Sequence, residues 1–455
     1  MSVITTIVAF LVALGLLIVF HEYGHYLAAR FFDVKVLRFS VGFGRPILSR
    51  RHGPDQTEWA LGGFPLGGYV KMLDEREGPV AAAEAHRAFN RQSVYKRFVI
   101  VAAGPVANFL LAILLYWGLF LTGVPGIKPV IGAAIPDSPA AAAGFESGET
   151  LTRVDGDLLQ TWQDARWALL KAGVARGTVK IETVDPRGNV AFRTLDLSQL
   201  GPEDLDGEFI ETIGLTRFQP ELAPRVGQVI SGRPAERAGI KVGDEIVAIN
   251  GKAIERWEDV VRVISQSPNL ALQIELRRAD GVEEMVTVVP DAVTENGKRL
   301  GRIGFAPLVD PRAMEQLRTE IRYGFFEGFV RAVARTWEMS IFSLKMMGKM
   351  IAGDVSLKNL SGPLTIADYA GQSAQLGWVP YLNFLALVSV SLGVLNLLPI
   401  PLLDGGHLMY YIAEIIKGRP VSERALEMGQ HVGIALLFTL MAFAIYNDIT
   451  RLLGG

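Results

Sequence analysis

The sequence predicts a polytopic α-helical membrane protein with four transmembrane helices and two inserted α+β domains. Three observations carry that expectation: four long runs almost without charge, a gapless repeat between the second and third of them, and a composition that is 50% hydrophobic and only 20% charged. Mean hydropathy is correspondingly positive, at +0.28. At 455 residues the chain is also too long for a single core. A formal net charge of -2 offers no basic surface to a polyanion, so no nucleic-acid partner is expected. Cysteine is absent, which excludes disulfides and leaves His, Asp and Glu as the residues able to hold a metal.

The runs come first, because roughly 20 apolar residues cross the hydrocarbon core of a bilayer. Run one covers residues 1–20 and continues straight into "HEYGH". It has no basic n-region and no A-x-A-like cleavage site, so it reads as a retained span rather than a signal peptide. Run two is 98–127, run three lies within 370–403, and run four is 428–447. Between runs one and two the chain collects Lys35, Arg38, Arg45, Arg50, Arg51, Lys71, Arg76, Arg87, Arg91, Lys96 and Arg97. Basic residues mark the cytoplasmic side. The segment 128–325 and both termini are then expected across the membrane, in the periplasm of a Gram-negative cell.

Residues 131–169, "IGAAIPDSPAAAAGFESGETLTRVDGDLLQTWQDARWAL", align without gaps onto 226–264, "VGQVISGRPAERAGIKVGDEIVAINGKAIERWEDVVRVI". Pro139 matches Pro234, Ala143 and Gly144 match Ala238 and Gly239, and Gly148, Gly156 and Trp162 match Gly243, Gly251 and Trp257. Each copy reads as a strand, a short helix, a strand with an Asp-Gly or Asn-Gly turn, an amphipathic helix and a hairpin. The chain therefore divides into 1–127 with the first two spans, 128–219 and 220–309 with the repeat copies, 310–369 with a surface-helix region, and 370–455 with the last two spans. The two copies resemble PDZ domains of the circularly permuted bacterial kind. That resemblance implies binding of an extended peptide by strand addition, with its carboxylate held on backbone amides. Within it, "IGL" (Ile213, Gly214, Leu215) and "IGF" (Ile303, Gly304, Phe305) correspond to the carboxylate loop, an ordinary glycine turn being the alternative.

Chemistry is concentrated in the stretch 16–32, "LLIVFHEYGHYLAARFF", which carries His21, Glu22 and His25 into an apolar run. Charged groups at membrane depth are costly, so they pair, bind or line a cavity. Positions four apart share a helix face, so both imidazoles can meet one ion with Glu22 beside them as general base. Catalytic zinc takes three protein ligands, and the metzincin third His is missing because Phe31 stands in its place. The third ligand must be distant. In 393–411, "GVLNLLPIPLLDGGHLMYY", the third run is broken by Pro399 and Pro401 and then offers Asp404 and His407, both open as the ligand. Irregular backbone at that depth is tolerated where it lines a cavity.

At these residues the chain resembles the site-2 protease family of intramembrane zinc metalloproteases, whose motifs HExxH and N-x-x-P-x-P-x-x-D-G are met by "HEYGH" and "NLLPIPLLDGG". The resemblance implies one catalytic zinc, Asp404 as third ligand, Glu22 as catalytic base, and Asn396, Pro399 and Pro401 beside the substrate backbone. It further implies hydrolysis within the membrane span of a single-span substrate, an anti-sigma factor already trimmed by another protease, with remnant signal peptides as a second class. The trimmed end is a candidate ligand of the PDZ pair. "TEWALGGFPLGGYVKM" (57–72), with Gly67 and Gly68, is expected to offer a strand edge to an unwound substrate. Gly104, Pro105 and Asn108 resemble the family's G-P-x-x-N element, a structural support in the second span. Residues 325–350 space Glu327, Arg331, Arg335, Glu338, Lys345 and Lys349 as a membrane-surface helix does, and 359–371 reads as a loop at Ser361, Gly362 and Pro363. A metal transporter and a peptide-binding scaffold fit parts of this pattern, but neither accounts for Glu22.

Overall fold

The computed structural model describes residues 3–454 apart from 202–203, 205–208, 221, 296–297, 310–314 and 357–360. Among these residues four helices are long and apolar enough to cross a membrane: Val3–Phe31, Val94–Thr122, Trp378–Leu397 and Glu423–Arg451. A helix satisfies its own backbone polar groups, which hydrocarbon requires. Their exposed faces are apolar, with Val8, Leu114 and Phe438 more than half exposed. Span one runs well past residue 20, carrying the whole HEYGH motif in one continuous helix.

Spans one to three form the packed part of the bundle. Ala13 and Leu17 of span one meet Leu111 of span two and Leu385 of span three. Farther along, Tyr116 and Leu119 pack on Ala386, Val390 and Val394, and on Ala332 and Met339 of the amphipathic helix Phe325–Ala352. Span four stands apart and is fastened near its ends. At one end, a Cβ on Gly433 would lie 2.1 Å from the Pro401 carbonyl oxygen. At the other, buried Asp448 accepts hydrogen bonds from the amides of Gly362 (2.9 Å), Leu364 (2.9 Å) and Thr365 (3.2 Å) and from Thr365 Oγ1 (2.6 Å). Those amides open the helix Pro363–Leu376. The loop expected over 359–371 is thus confined to its start, of which 359–360 lie outside the described residues. Pro363 starts a helix because the first helical position needs no N–H, and a carboxylate from another span takes the place of a local cap.

Between spans one and two, Val36–His52 and Thr57–Met72 pair antiparallel as a folded-over hairpin, in which Phe39, Ser40 and Val41 each pair on both sides, with 59–61 and with 68–70. The sequence reading found only its second strand. Val36, with Val34, packs against Ala29 and Ile100, and Phe39 and Trp59 stack at 4.7 Å beside Tyr26. Buried Asp55 pairs with Arg30 and, at 2.7 and 2.9 Å, with both terminal nitrogens of Arg87.

The repeat copies fold alike. Copy one orders its strands Asp157–Leu158, Thr150–Val154, Thr178–Val184, Val190–Asp196, and copy two orders Lys252–Ala253, Glu245–Ile249, Leu272–Arg277, Glu283–Val288. Even a buried ion pair recurs, Glu149 with Arg193 and Asp244 with Arg278, each at 2.6 Å. Copy one is docked on the amphipathic helix region: Lys171 pairs with Glu338, Trp167 packs edge-on against Phe342 at 4.4 Å, and Val355 completes its core. The described core of copy two draws only on its own residues.

Replacing Asp448 by Ala strands three amides at the start of Pro363–Leu376. Loss of such a cap destabilises by about 0.5–2 kcal/mol, so the unfolding midpoint in detergent is expected to fall; an unchanged midpoint would show that the cap carries no stability.

Candidate metal centre

His21, Glu22 and His25 lie within one turn of span one, and span two presents a matching stripe at Ile100, Gly104 and Asn108, also four residues apart. His25 Nδ1 lies 2.9 Å from the Ile100 carbonyl oxygen. A Cβ on Gly104 would fall 2.3 Å from His25 Nε2 and 2.9 Å from His21 Cε1, so only glycine admits both rings. The Asn108 side-chain amide lies 3.2 Å from His21 Nδ1. Each ring is thereby held from its Nδ1 side, with Nε2 turned inward.

Span three supplies the opposite wall by breaking. It ends at Leu397, and Pro399 and Pro401 cannot donate to a continuing helix. Leu402 turns the chain with φ of +92°, a conformation that L side chains rarely adopt. Helix Asp404–Lys417 then starts so close to the end of span three that a Cβ on Gly405 would lie 2.1 Å from the Leu398 oxygen. This reversal aims Asp404 back at span one. Its Oδ2 lies 3.2 Å from His21 Nε2 and 3.5 Å from His25 Nε2, and the two Nε2 atoms are 3.3 Å apart.

The three ligand atoms lie within 4.8 Å of one another, and they form the one such group among the described residues. Asp404 Oδ2 is buried without a hydrogen-bond partner, which is what a carboxylate kept for a cation looks like. Two imidazoles and a carboxylate, with no thiolate, suit zinc. His407 sits one turn beyond Asp404, is exposed and is not in the group.

Glu22 is buried beside the histidines, and the hairpin covers it: a Cβ on Gly68 would lie 3.0 Å from Glu22 Cγ and 2.7 Å from Ile18 Cγ2. Neighbouring Gly67 has φ of +119° and packs on the Phe43 ring. Asn396 is half-buried in the last turn of span three, Pro399 is exposed and Pro401 half-buried. The remaining residues lie in the repeat copies. The Gly214 and Leu215 amides donate to the Glu211 and Ile210 carbonyls at 2.9 and 3.0 Å, ending the short helix Phe209–Thr212. The Gly304 carbonyl accepts from the Ile230 amide, and Phe305 packs edge-on to Trp257 at 4.9 Å. Sequence reasoning missed the Ile100 carbonyl and the Arg97–Glu414 pair, 2.6 Å apart, which ties span two to the helix of Asp404. A backbone acceptor has no sequence signal, and a pair 317 residues apart has no local one.

A model of peptidase family M50 matches residues 9–440. The chain belongs to that family. The resemblance to site-2 proteases is borne out with it, and the protein is a metallopeptidase of that type. Its relatives match end to end. The regulator of sigma-E protease of Escherichia coli is 42% identical over 455 residues, covering 99% of this chain and all of the relative. The Salmonella typhimurium protein of the same name is 41% identical over 457 residues. A Neisseria meningitidis protein provisionally named as a zinc metalloprotease is 43% identical, again over 99% of this chain and all of the relative.

Because Asp404 and His407 share a helix, substitutions separate them. Asp404→Ala is expected to abolish stoichiometric zinc binding in equilibrium dialysis, and His407→Ala to leave it intact; the reverse result would reassign the third ligand.

Proposed function

We propose that this zinc metallopeptidase hydrolyses a peptide bond inside the membrane span of a single-span protein. The observation that carries the reading is the convergence of His21, His25 and Asp404, with Glu22 beside them, among helices long and apolar enough to cross a bilayer. His21, His25 and Asp404 are the ligands. Zinc, when bound there, supplies Lewis acidity to the scissile carbonyl and to water. Glu22 takes the proton of the attacking water and returns it to the leaving amine. Its burial against Gly68 shields that proton transfer from bulk solvent.

The substrate must arrive extended, since a helical peptide bond is covered by its own hydrogen bonding. The hairpin supplies the surface for this, with Gly68 against Glu22, Gly67 next to it in the chain, and a strand edge available for pairing. Asn396 and the Pro399–Pro401 turn act on the other side of the peptide.

The basic residues between spans one and two support an orientation with the hairpin, the Arg97–Glu414 pair and the active site toward the cytoplasm of a bacterial inner membrane. The opposite end of the bundle supports this arrangement. There Gly371 packs on Thr6 near the start of span one, and Gly362 on Asp448 near the end of span four, as expected if both termini and the repeat copies are periplasmic. The repeat copies serve as a PDZ pair that admits or captures a substrate shortened by an earlier protease. The sigma-E naming of the relatives points to an anti-sigma factor, and remnant signal peptides meet the same geometric demand. Gly214, Leu215, Gly304 and Phe305 are the carboxylate-loop positions of that pair.

Purified protein and a single-span model substrate test the chemistry. Glu22→Gln is expected to retain zinc while cleavage falls by about 10²–10⁴-fold, the usual contribution of a general base. Equal cleavage by the variant would remove Glu22 from the mechanism.

A further inference from the structure

A histidine that binds a metal through Nε2 must carry its proton on Nδ1, and the partner of that N–H fixes both tautomer and ring orientation. Both Nε2 atoms here face Asp404 Oδ2. For His25 the Nδ1 partner is the Ile100 carbonyl, which can only accept. For His21 the group within reach of Nδ1 is the Asn108 side chain, whose residue is fully buried. As placed, the amide nitrogen faces Nδ1 and Oδ1 has no partner. A donor in that position would leave the His21 proton on Nε2, where the ion belongs. The two ends of an amide have the same shape, and chemistry decides between them. The orientation as placed leaves buried Oδ1 unmatched, and a metal on His21 Nε2 requires the other, with Oδ1 facing His21 Nδ1.

We propose that Asn108 is a positioning residue for the metal, accepting the His21 Nδ1–H on Oδ1 and holding the imidazole in the tautomer that presents a bare Nε2. Its place is fixed from two sides. Gly104, one turn earlier, allows span two to approach the rings, and Ser389 Oγ of span three donates to the Asn108 backbone carbonyl at 2.7 Å. The side chain is therefore held at one depth relative to His21, and the backbone bond survives any substitution of the side chain.

The inference rests on the metal centre proposed above, and one set of full-length proteins in detergent separates the two. Zinc affinity is read by competition with a chromogenic chelator, and unfolding midpoints are read with and without zinc. Asn108→Leu is expected to weaken zinc binding by about 10–100-fold, the usual effect of removing such a partner, with the metal-free midpoint unchanged. Asn108→Asp keeps an acceptor of the same size and is expected to bind at least as tightly as wild type. Where the Leu variant does not fold, Asn108→Ala replaces it. Wild-type affinity in the Leu or Ala variant overturns the inference, as does an Asp variant as weak as they are. A wild-type protein that binds no zinc overturns the metal centre itself.

Discussion

The structure is organised around the difficulty of keeping two imidazoles and two carboxylates among apolar helices. An uncompensated charge at that depth is strongly unfavourable, so each of the three candidate ligands is given a partner or kept for a cation. His25 has a backbone carbonyl, His21 a side-chain amide, and Asp404 Oδ2, turned toward both rings, is kept for the ion. The main architectural features follow from meeting those needs at once. Span two approaches closely enough to lend its carbonyl only because residue 104 is glycine. Span three breaks because an unbroken helix would carry residue 404 onward along its axis instead of back to the rings. Arg97 and Glu414 then clamp the returning helix to span two.

How much of this was legible in the sequence depended on the range of the interaction. HEYGH announces itself because its three polar residues contradict the hydropathy of their surroundings within one helical turn. The broken motif announces itself through Pro399, Pro401 and the glycines after Asp404, and its pairing with HEYGH came through the family resemblance. The repeat copies were legible because the chain contains its own alignment, down to Glu149 and Asp244. Other contacts left no trace. Nothing about "VLRFSVGFGRPILSRRH" says strand, since glycine, proline and four arginines interrupt any alternation, and tertiary pairing with 57–72 makes it one. The helix at Pro363–Leu376 was read as loop because its cap is contributed by a residue near the other end of span four. Asn108 was visible only as a helix-packing residue, because its metal-side role exists only once span one lies against it.

The repeat copies and the helical bundle are joined unequally. Copy one shares its core with Val355 and its surface with the helix Phe325–Ala352, which in turn packs on spans two and three. Trp167, Phe342 and Arg335 form a compact contact there, with the guanidinium over the indole at 5.1 Å. Through that helix copy one is in packing contact with the spans that carry Asn108 and precede Asp404. Copy two, with a core of its own, is coupled to the bundle less directly.

The candidate ligands lie near opposite ends of the chain: His21 and His25 are made at the start, Asp404 near the finish. At translation rates of about 5–20 residues per second, on the order of a minute separates them. During that time a growing chain holds a pair of histidines with no carboxylate opposite. A metallopeptidase of this type thus lacks its full candidate ligand set for nearly the whole of its own biosynthesis. The order of its residues ties completion of the candidate metal centre to the last stage of synthesis.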